Sequence, residues 1–323
     1  MKTRSLSALV GMIAAALVTV ALGAPPAAAL TELTIHLSPT GSDANSGTAA
    51  SPVKSIGRAN EIATAKKPTD RIDVLLAPGT YTDMGDQWTY ADSKKLTIRT
   101  TSGTATFDGQ GTHRNYQLVI GPPASENKRI RNVILRDLRF TNATNGLQVR
   151  NTTNATLQNL KFDKIGNRWS PGSIGYAALS LQHVTDITVT NPVWTDIENN
   201  QTLDGTDTTG LVHAVYAAND ADDVTLVDIT ATRVSGDAFR IRNGTDNFVI
   251  NGGTMSSAGS RSAFSEWYNP NASTPEIRSS GSFINVTTGK NYRGETYELG
   301  RTSCVRSGSG PISDCRITDT PPS

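Results

Sequence analysis

Apolar and polar positions alternate in short bursts along most of this chain, and the bursts recur. Two near-copies of one unit lie in residues 211–268, HAVYAANDADDVTLVDITATRVSG and DAFRIRNGTDNFVINGGTMSSAG, and a third copy begins at Ser262. Each unit has an alternating strand, a polar turn rich in Asn and Asp, a second strand and a small Ser/Gly corner. Short strands at a period of about 25 residues, with no helical pattern between them, indicate a solenoid of stacked parallel strands. The fold expected is all-β, a single-domain parallel β-helix.

The units can be laid over one another. First strands align as Leu147-Gln148-Val149, Leu179-Ser180-Leu181, Val215-Tyr216-Ala217, Phe239-Arg240-Ile241 and Phe264-Ser265-Glu266. Second strands follow as Ala155-Thr156-Leu157, Ile187-Thr188-Val189, Val224-Thr225-Leu226 and Phe248-Val249-Ile250. Earlier coils, at Leu118 with Val133 and at Leu96, fit less tightly. Alternation turns the apolar residues inward as stacked ladders and the residues between them outward. One outward column then reads Gln148, Ser180, Tyr216, Arg240, Ser265, and the next reads Arg150, Gln182, Ala218, Arg242, Trp267.

Near the start, Val53, Ile56, Ala59, Ile62 and Ala63 are spaced as on a helix, so a short helix over residues 53–65 is expected to cap the first coil, within an N-terminal cap of about residues 30–70. A solenoid end left open would expose strand edges and core. Residues 1–29 read as a secretory signal peptide: Lys2 and Arg4, an apolar core from Leu6 to Leu22, then Ala27-Ala28-Ala29. The β-helix domain expected is 30–323. Cys304 and Cys315, the two cysteines of an exported chain, are expected to join in a disulfide closing a tail of about residues 290–323.

The stretch SPTGSDANSGT followed by SPVKSIGRA and LLAPGTY resembles the entry segment of right-handed parallel β-helix proteins of the pectate-lyase-like superfamily. That resemblance implies the fold and, loosely, polysaccharide substrates. The later segment HAVY, GDAFRIR and EWY is similar to a group of secreted actinobacterial β-helix proteins with no settled activity. It implies fold and site location more than reaction.

The net charge of +1 over 323 residues argues against a general nucleic-acid binder, which needs a basic face. No segment beyond the leader is long and apolar enough to span a bilayer. The expected product is a secreted monomer that meets an acidic polysaccharide, with neither nucleic acid nor membrane as partner. The Asn-x-Thr/Ser triplets at Asn142, Asn151, Asn154, Asn200, Asn243, Asn271 and Asn285 read as turn residues between strands rather than glycan acceptors.

Chemistry concentrates on consecutive coils. His213, Tyr216, Asp237, Arg240, Arg242, Glu266 and Trp267 should lie within roughly 10 Å along the axis, at the strand spacing of a sheet. His213 is a general acid or base, or a corner residue bonded to a backbone carbonyl. Asp237 orients His213 or closes a turn. Arg240 and Arg242 form a clamp for a carboxylate, or solvated charges. Tyr216 beside Arg240 is a catalytic base or a packing aromatic. Glu266, at an inward position, is expected to be a buried partner of Arg240 or Arg242. Trp267 and Tyr268 make a platform for sugars or pack in the core.

Insertions at residues 166–176 and 195–210 precede those strands, and their Arg168, Trp169 and Tyr176 suit sugar contacts. Calcium, common in the superfamily the chain resembles, would use Asp220, Asp222 and Asp223 with Asp204 or Asp207, acids that serve equally as turn residues; no EF-hand spacing is present.

The arginine, tyrosine and histidine set matches elimination from a uronic-acid polymer, or C5 epimerisation, better than hydrolysis, which needs two positioned carboxylates. A non-catalytic polysaccharide binder is the third reading.

Overall fold

The computed structural model describes residues 31–295 except 83–84, 261, 270–272 and 275, and the backbone of Ser303–Cys304, Pro311–Ile312 and Cys315–Ile317. The signal-peptide segment lies outside the described residues. So do the side chains of Cys304 and Cys315, on which the expected disulfide falls.

Each coil of the solenoid contributes to parallel ladders that match the sequence alignment. On the first face Leu118 pairs with Leu147, Leu147 with Leu179, Leu179 with Val215, Val215 with Phe239, and Phe239 with Phe264. On the second face the ladder runs from Leu33 through Ile72, Leu96, Val133, Ala155 and Ile187 to Val224. The inward residues are buried, apart from half-buried Leu33 in the first coil, and their stacking in one register gives successive coils a similar apolar cross-section.

A third face, not resolved from the repeat, completes the prism. Tyr81, Phe107, Phe140, Phe162 and Trp194 pair in succession and are followed by Ala231 and Met255. Their rings stack inside the coil at centroid spacings of 5.7, 5.2, 5.3 and 6.1 Å, so strand spacing and ring spacing reinforce each other.

Corners between faces are built by asparagine in the left-handed region, which its short polar side chain tolerates. Asn154 donates to Asn132 (2.7 Å), Asn243 to Asn219 (2.8 Å) and Asn285 to Asn251 (2.9 Å), so the corners are stitched from coil to coil. Asn142, Asn151, Asn154, Asn243 and Asn285 all have φ between 45° and 56°, which accounts for these Asn-x-Thr/Ser triplets as corner residues. Asn271 lies outside the described residues.

The N-terminal helix is Ile56–Lys66. Its start differs from the expected Val53 because Ser55 is the N-cap, accepting from the Arg58 amide at 3.0 Å. Val53 instead bridges to Leu37 of the first strand, where it is fully buried. Ile56, Ala59, Ile62 and Ala63 form the buried face of the helix. At the other end, Ser303–Cys304 runs antiparallel beside Phe264–Trp267, and Pro311–Ile312 and Cys315–Ile317 beside Gly281–Thr288, covering the last strand edges. No helix among the described residues is long and apolar enough to cross a membrane.

Candidate active site

The outward columns of the first face and the two insertions enclose a cleft of about 320 Å³. His213, Tyr216, Arg240, Arg242 and Trp267 line it together with Gln148 and Gln182; Tyr116, Tyr176 and Leu211 complete the lining. Tyr176 ends the first insertion and Leu211 follows the second, so the insertions wall this cleft.

The insertions hold one another through a buried amide network. Asn199 accepts from the Asn167 amide (2.8 Å) and donates to the carbonyls of Gly175 (2.9 Å) and Thr208 (3.0 Å). Asn145 accepts from the Tyr176 amide at 2.8 Å, fixing that aromatic at the mouth. Arg168 and Trp169, by contrast, are not among the residues that line the cleft. Arg168 pairs with fully buried Glu198 (3.1 Å) and covers the Trp169 ring, whose indole N–H donates to the Asp196 carbonyl (2.9 Å). Buried Glu198 also pairs with Arg233, so Arg168 is held in an ion cluster and packs over the Trp169 ring.

Tyr216 and Arg240 are direct neighbours in one column, and His213 and Asp237 meet at the corner before it. His213 is buried, and its Nδ1 lies 2.6 Å from the backbone carbonyl of Asp237. A carbonyl only accepts, so Nδ1 carries the proton and Nε2 keeps its lone pair while the ring is neutral. Burial and the positive charge of Arg240 push the His213 pKa down to about 3, which keeps it neutral. No partner for Nε2 occurs among the described residues. The ring stacks on Tyr216 at 5.7 Å, 19° from parallel.

The Asp237 carboxylate accepts from Arg240 (2.5 Å), from the Ser265 hydroxyl (2.8 Å) and from the Ser260 hydroxyl (3.2 Å). Burial opposes its ionisation, but Arg240 and these donors prevail and hold its pKa below the usual carboxylate value. Arg240 also donates to Ser265 (3.2 Å) and lies 5.6 Å over the Trp267 ring. Arg242 donates through Nε to Glu276 (2.7 Å), makes a second contact to the same oxygen through Nη2, and reaches the Tyr216 hydroxyl through Nη1 (3.3 Å). Each guanidinium has five N–H donors, so at least two remain on each for a ligand.

Several expectations are corrected here. Tyr216 receives its hydroxyl contact from Arg242, not Arg240. Asp237 orients His213 by its backbone carbonyl rather than its carboxylate. Glu266 is buried as its register implied, yet it pairs with Arg278 (2.7 Å) and accepts from the Ser279 amide (2.7 Å), not with Arg240 or Arg242. Tyr268 is covered by Arg278 at 4.6 Å and does not line the cleft, whereas Trp267, 49% exposed, does. Two members escaped the sequence reading. Glu276 comes from the lengthened connection after Tyr268. Tyr116 sits two residues before Leu118, and carrying the His213 corner column back along the register would have found it.

Three of the acids considered for calcium serve as turn residues. Asp222 accepts from the Asp246 amide (3.0 Å), Asp223 from Asn247 (2.8 Å) and Asp207 from the Thr209 amide (2.9 Å). No group of three or more metal-ligating side chains occurs among the described residues, so these acids do not converge into a site for the ion. A larger groove of about 490 Å³ on the second face is lined by Glu32, Asp70, Arg71, Lys94 and Lys95 among others, and contains neither His nor Tyr.

No protein-family model and no curated protein sequence matches the chain. Among solved structures, an alginate lyase from Paenibacillus sp. str. FPU-7 superposes with a TM-score of 0.52 at 14% identity, covering 79% of this chain and 76% of that one. Pectate lyase Pel9A aligns with a TM-score of 0.49 at 15% identity over 86% of this chain and 74% of its own. The fold is therefore a parallel β-helix, the architecture it shares with that alginate lyase. Identities this low speak for fold alone.

Proposed function

We propose that the chain is an exported lyase that cleaves a uronic-acid-containing polysaccharide by β-elimination. The carrying observation is the composition of the cleft: Arg240, Arg242, His213 and Tyr216 on consecutive coils, and no carboxylate in the lining.

Elimination needs a group to neutralise the uronate carboxylate as charge develops, and a base for the proton on C5. Arg240 and Arg242 supply the first, as two donor forks oriented by Asp237 and Glu276. Because each arginine already has a carboxylate partner, the cleft offers directed N–H groups rather than net positive charge. Much of the affinity then falls to aromatic surface on Tyr176, Tyr216 and Trp267. His213 supplies the base, with its lone pair on Nε2 and its tautomer set by Asp237. A bound uronate carboxylate beside it would raise its basicity, offsetting the depression that Arg240 and burial impose. Tyr216 packs on the imidazole and is held by Arg242, which keeps both rings in place.

Hydrolysis is the weaker reading, since inverting and retaining mechanisms both need two carboxylates about 5–9.5 Å apart across the sugar. The carboxylates nearest the cleft, Asp237 and Glu276, are each committed to an arginine.

The test is a time course of near-ultraviolet absorbance with purified protein and a panel of acidic polysaccharides. Elimination leaves a conjugated unsaturated uronate, so absorbance should rise, and Arg240→Ala should abolish the rise. Reducing ends without that absorbance would transfer the assignment to a hydrolase. Stereochemical inversion at C5 without chain cleavage would transfer it to an epimerase.

A further inference from the structure

The first face carries a phenol that the elimination so far leaves unused. Tyr116 belongs to the strand Ala105–Ile120 and is in register with Asn145, which places it in the His213 corner column, nearer the N-terminus. Its side chain lines the cleft, and the Ser180 hydroxyl lies close enough to its phenol to favour the phenolate. Ser180 is fully buried and pairs directly with Tyr216 on the next coil. The phenol therefore leans along the axis toward Ser180, whose coil is one strand spacing, about 4.8 Å, from the Tyr216 and His213 level.

We propose that Tyr116 is the acid that protonates the leaving oxygen, an inference that rests on the elimination reading. The chemistry required by a uronate is arranged in the order of its atoms. The arginines lie on the coil after His213, where C6 and its carboxylate would sit. His213 lies at the middle coil, facing C5–H. The Tyr116 hydroxyl lies at the Ser180 coil, where O4 would be. Nε2 of His213 takes the C5 proton, the C–H electron pair becomes the C4=C5 double bond, and the C4–O4 bond breaks with its pair on O4. That oxygen takes the Tyr116 proton, leaving imidazolium and phenolate, which solvent restores with no net consumption of protons.

The surroundings of the phenol suit this role. Ser180 accepts from Gln182 Nε2 at 3.3 Å, which leaves the Ser180 hydroxyl proton to donate to the Tyr116 oxygen and stabilise the phenolate as it forms. Burial, with Tyr216 and Tyr176 nearby, pushes the Tyr116 pKa up to about 12 against the opposing effect of Ser180, so the proton is present throughout the working range. An acid of that strength lies close to the sugar alkoxide it must protonate.

The test separates loss of the acid from loss of the base. Tyr116→Phe should lower kcat on the polymer by about a hundred- to ten-thousandfold, the usual span for a general acid, with KM held. On a synthetic uronate bearing para-nitrophenoxide at C4, which leaves without protonation, the same variant should stay within about tenfold of the parent. His213→Asn should fail on both substrates. Ser180→Ala, should Tyr116→Phe not fold, is expected to repeat the split more mildly. Retention of polymer turnover by Tyr116→Phe, or equal loss on both substrates, overturns the assignment while leaving elimination standing. Absence of any unsaturated product from the parent protein overturns both together.

Discussion

His213 and Asp237 are joined through the backbone: the imidazole Nδ1–H donates to the Asp237 carbonyl at 2.6 Å, while the carboxylate of the same residue is turned to Arg240. One residue therefore sets a tautomer with its main chain and orients a guanidinium with its side chain. The corner can do both because Asp237 stands at the entry of the strand carrying Arg240, one coil beyond His213. The two tasks are separable by mutation.

Asp237→Asn keeps the carbonyl and so the His213 tautomer, but leaves Arg240, whose side chain is 15% exposed, without its counter-charge. Breaking one side of such a buried pair costs about 3–5 kcal/mol, less whatever the Asn oxygen recovers. Urea unfolding should show this loss, and the proton resonances of His213 should still report an Nδ1–H tautomer. Unchanged stability would mean that the ion pair contributes little.

The depressed His213 pKa makes stability pH-dependent in a defined direction. The unfolded ring takes up a proton below its ordinary value near 6.5, whereas the folded ring resists until about pH 3. More protons bound to the unfolded state means that stability falls as pH drops from about 6.5 toward 3. Asp237 and other carboxylates with depressed pKa add their own losses only lower, as pH falls through the acidic carboxylate range. Melting temperatures between pH 7 and pH 5 should decline in the parent and decline less in His213→Asn, which has nothing to protonate there. Parallel profiles would refute the buried neutral imidazole.

Trp267 is half exposed, so its removal should spare the fold and reach the ligand. Loss of its stacking face and of the support it gives Arg240 is worth about 1–2 kcal/mol, or roughly five- to thirtyfold in KM. Trp267→Ala is expected to raise KM on polymer with kcat nearly intact and the melting temperature within a degree or so of the parent. A collapse of kcat instead would place Trp267 among the residues that organise the arginine.

Phe140 sits in the middle of the aromatic ladder, between Phe107 and Phe162, with no exposed surface. Phe140→Ala should cost about 3–5 kcal/mol, from lost transfer energy and the cavity left between rings that cannot close up. Equilibrium denaturation gives the number directly. A cost under about 1 kcal/mol would show that neighbouring coils can repack, contrary to a rigid ladder.

Strand existence, inward and outward choice, and inter-coil register were all legible from alternation. Leu147, Leu179, Val215, Phe239 and Phe264 align in sequence as they do in space because a one-residue slip would turn each apolar side chain outward. Corner asparagines were legible for a related reason: few residues enter the left-handed region at low cost. The third face was not, since its residues in the best-conserved copies are Ala231 and Met255 rather than rings, and no repeat marks them. The helix start at Ser55 was missed because helical spacing of apolar residues says nothing about where a hydroxyl caps the first turn.

What the amino-acid sequence determined by itself was the solenoid and the column in which each first-face side chain stands, because period-two alternation and coil-to-coil stacking are local and repetitive. Which charges meet was decided only by tertiary structure. Arg242 found Glu276, Glu266 found Arg278, and Arg168 found Glu198, each through a loop that belongs to no repeat and whose path depends on packing over the coils. The reach of Tyr116 to Ser180 is of the same kind: a column position is written in the register, but how far a long side chain leans along the axis is set by the space its neighbours leave.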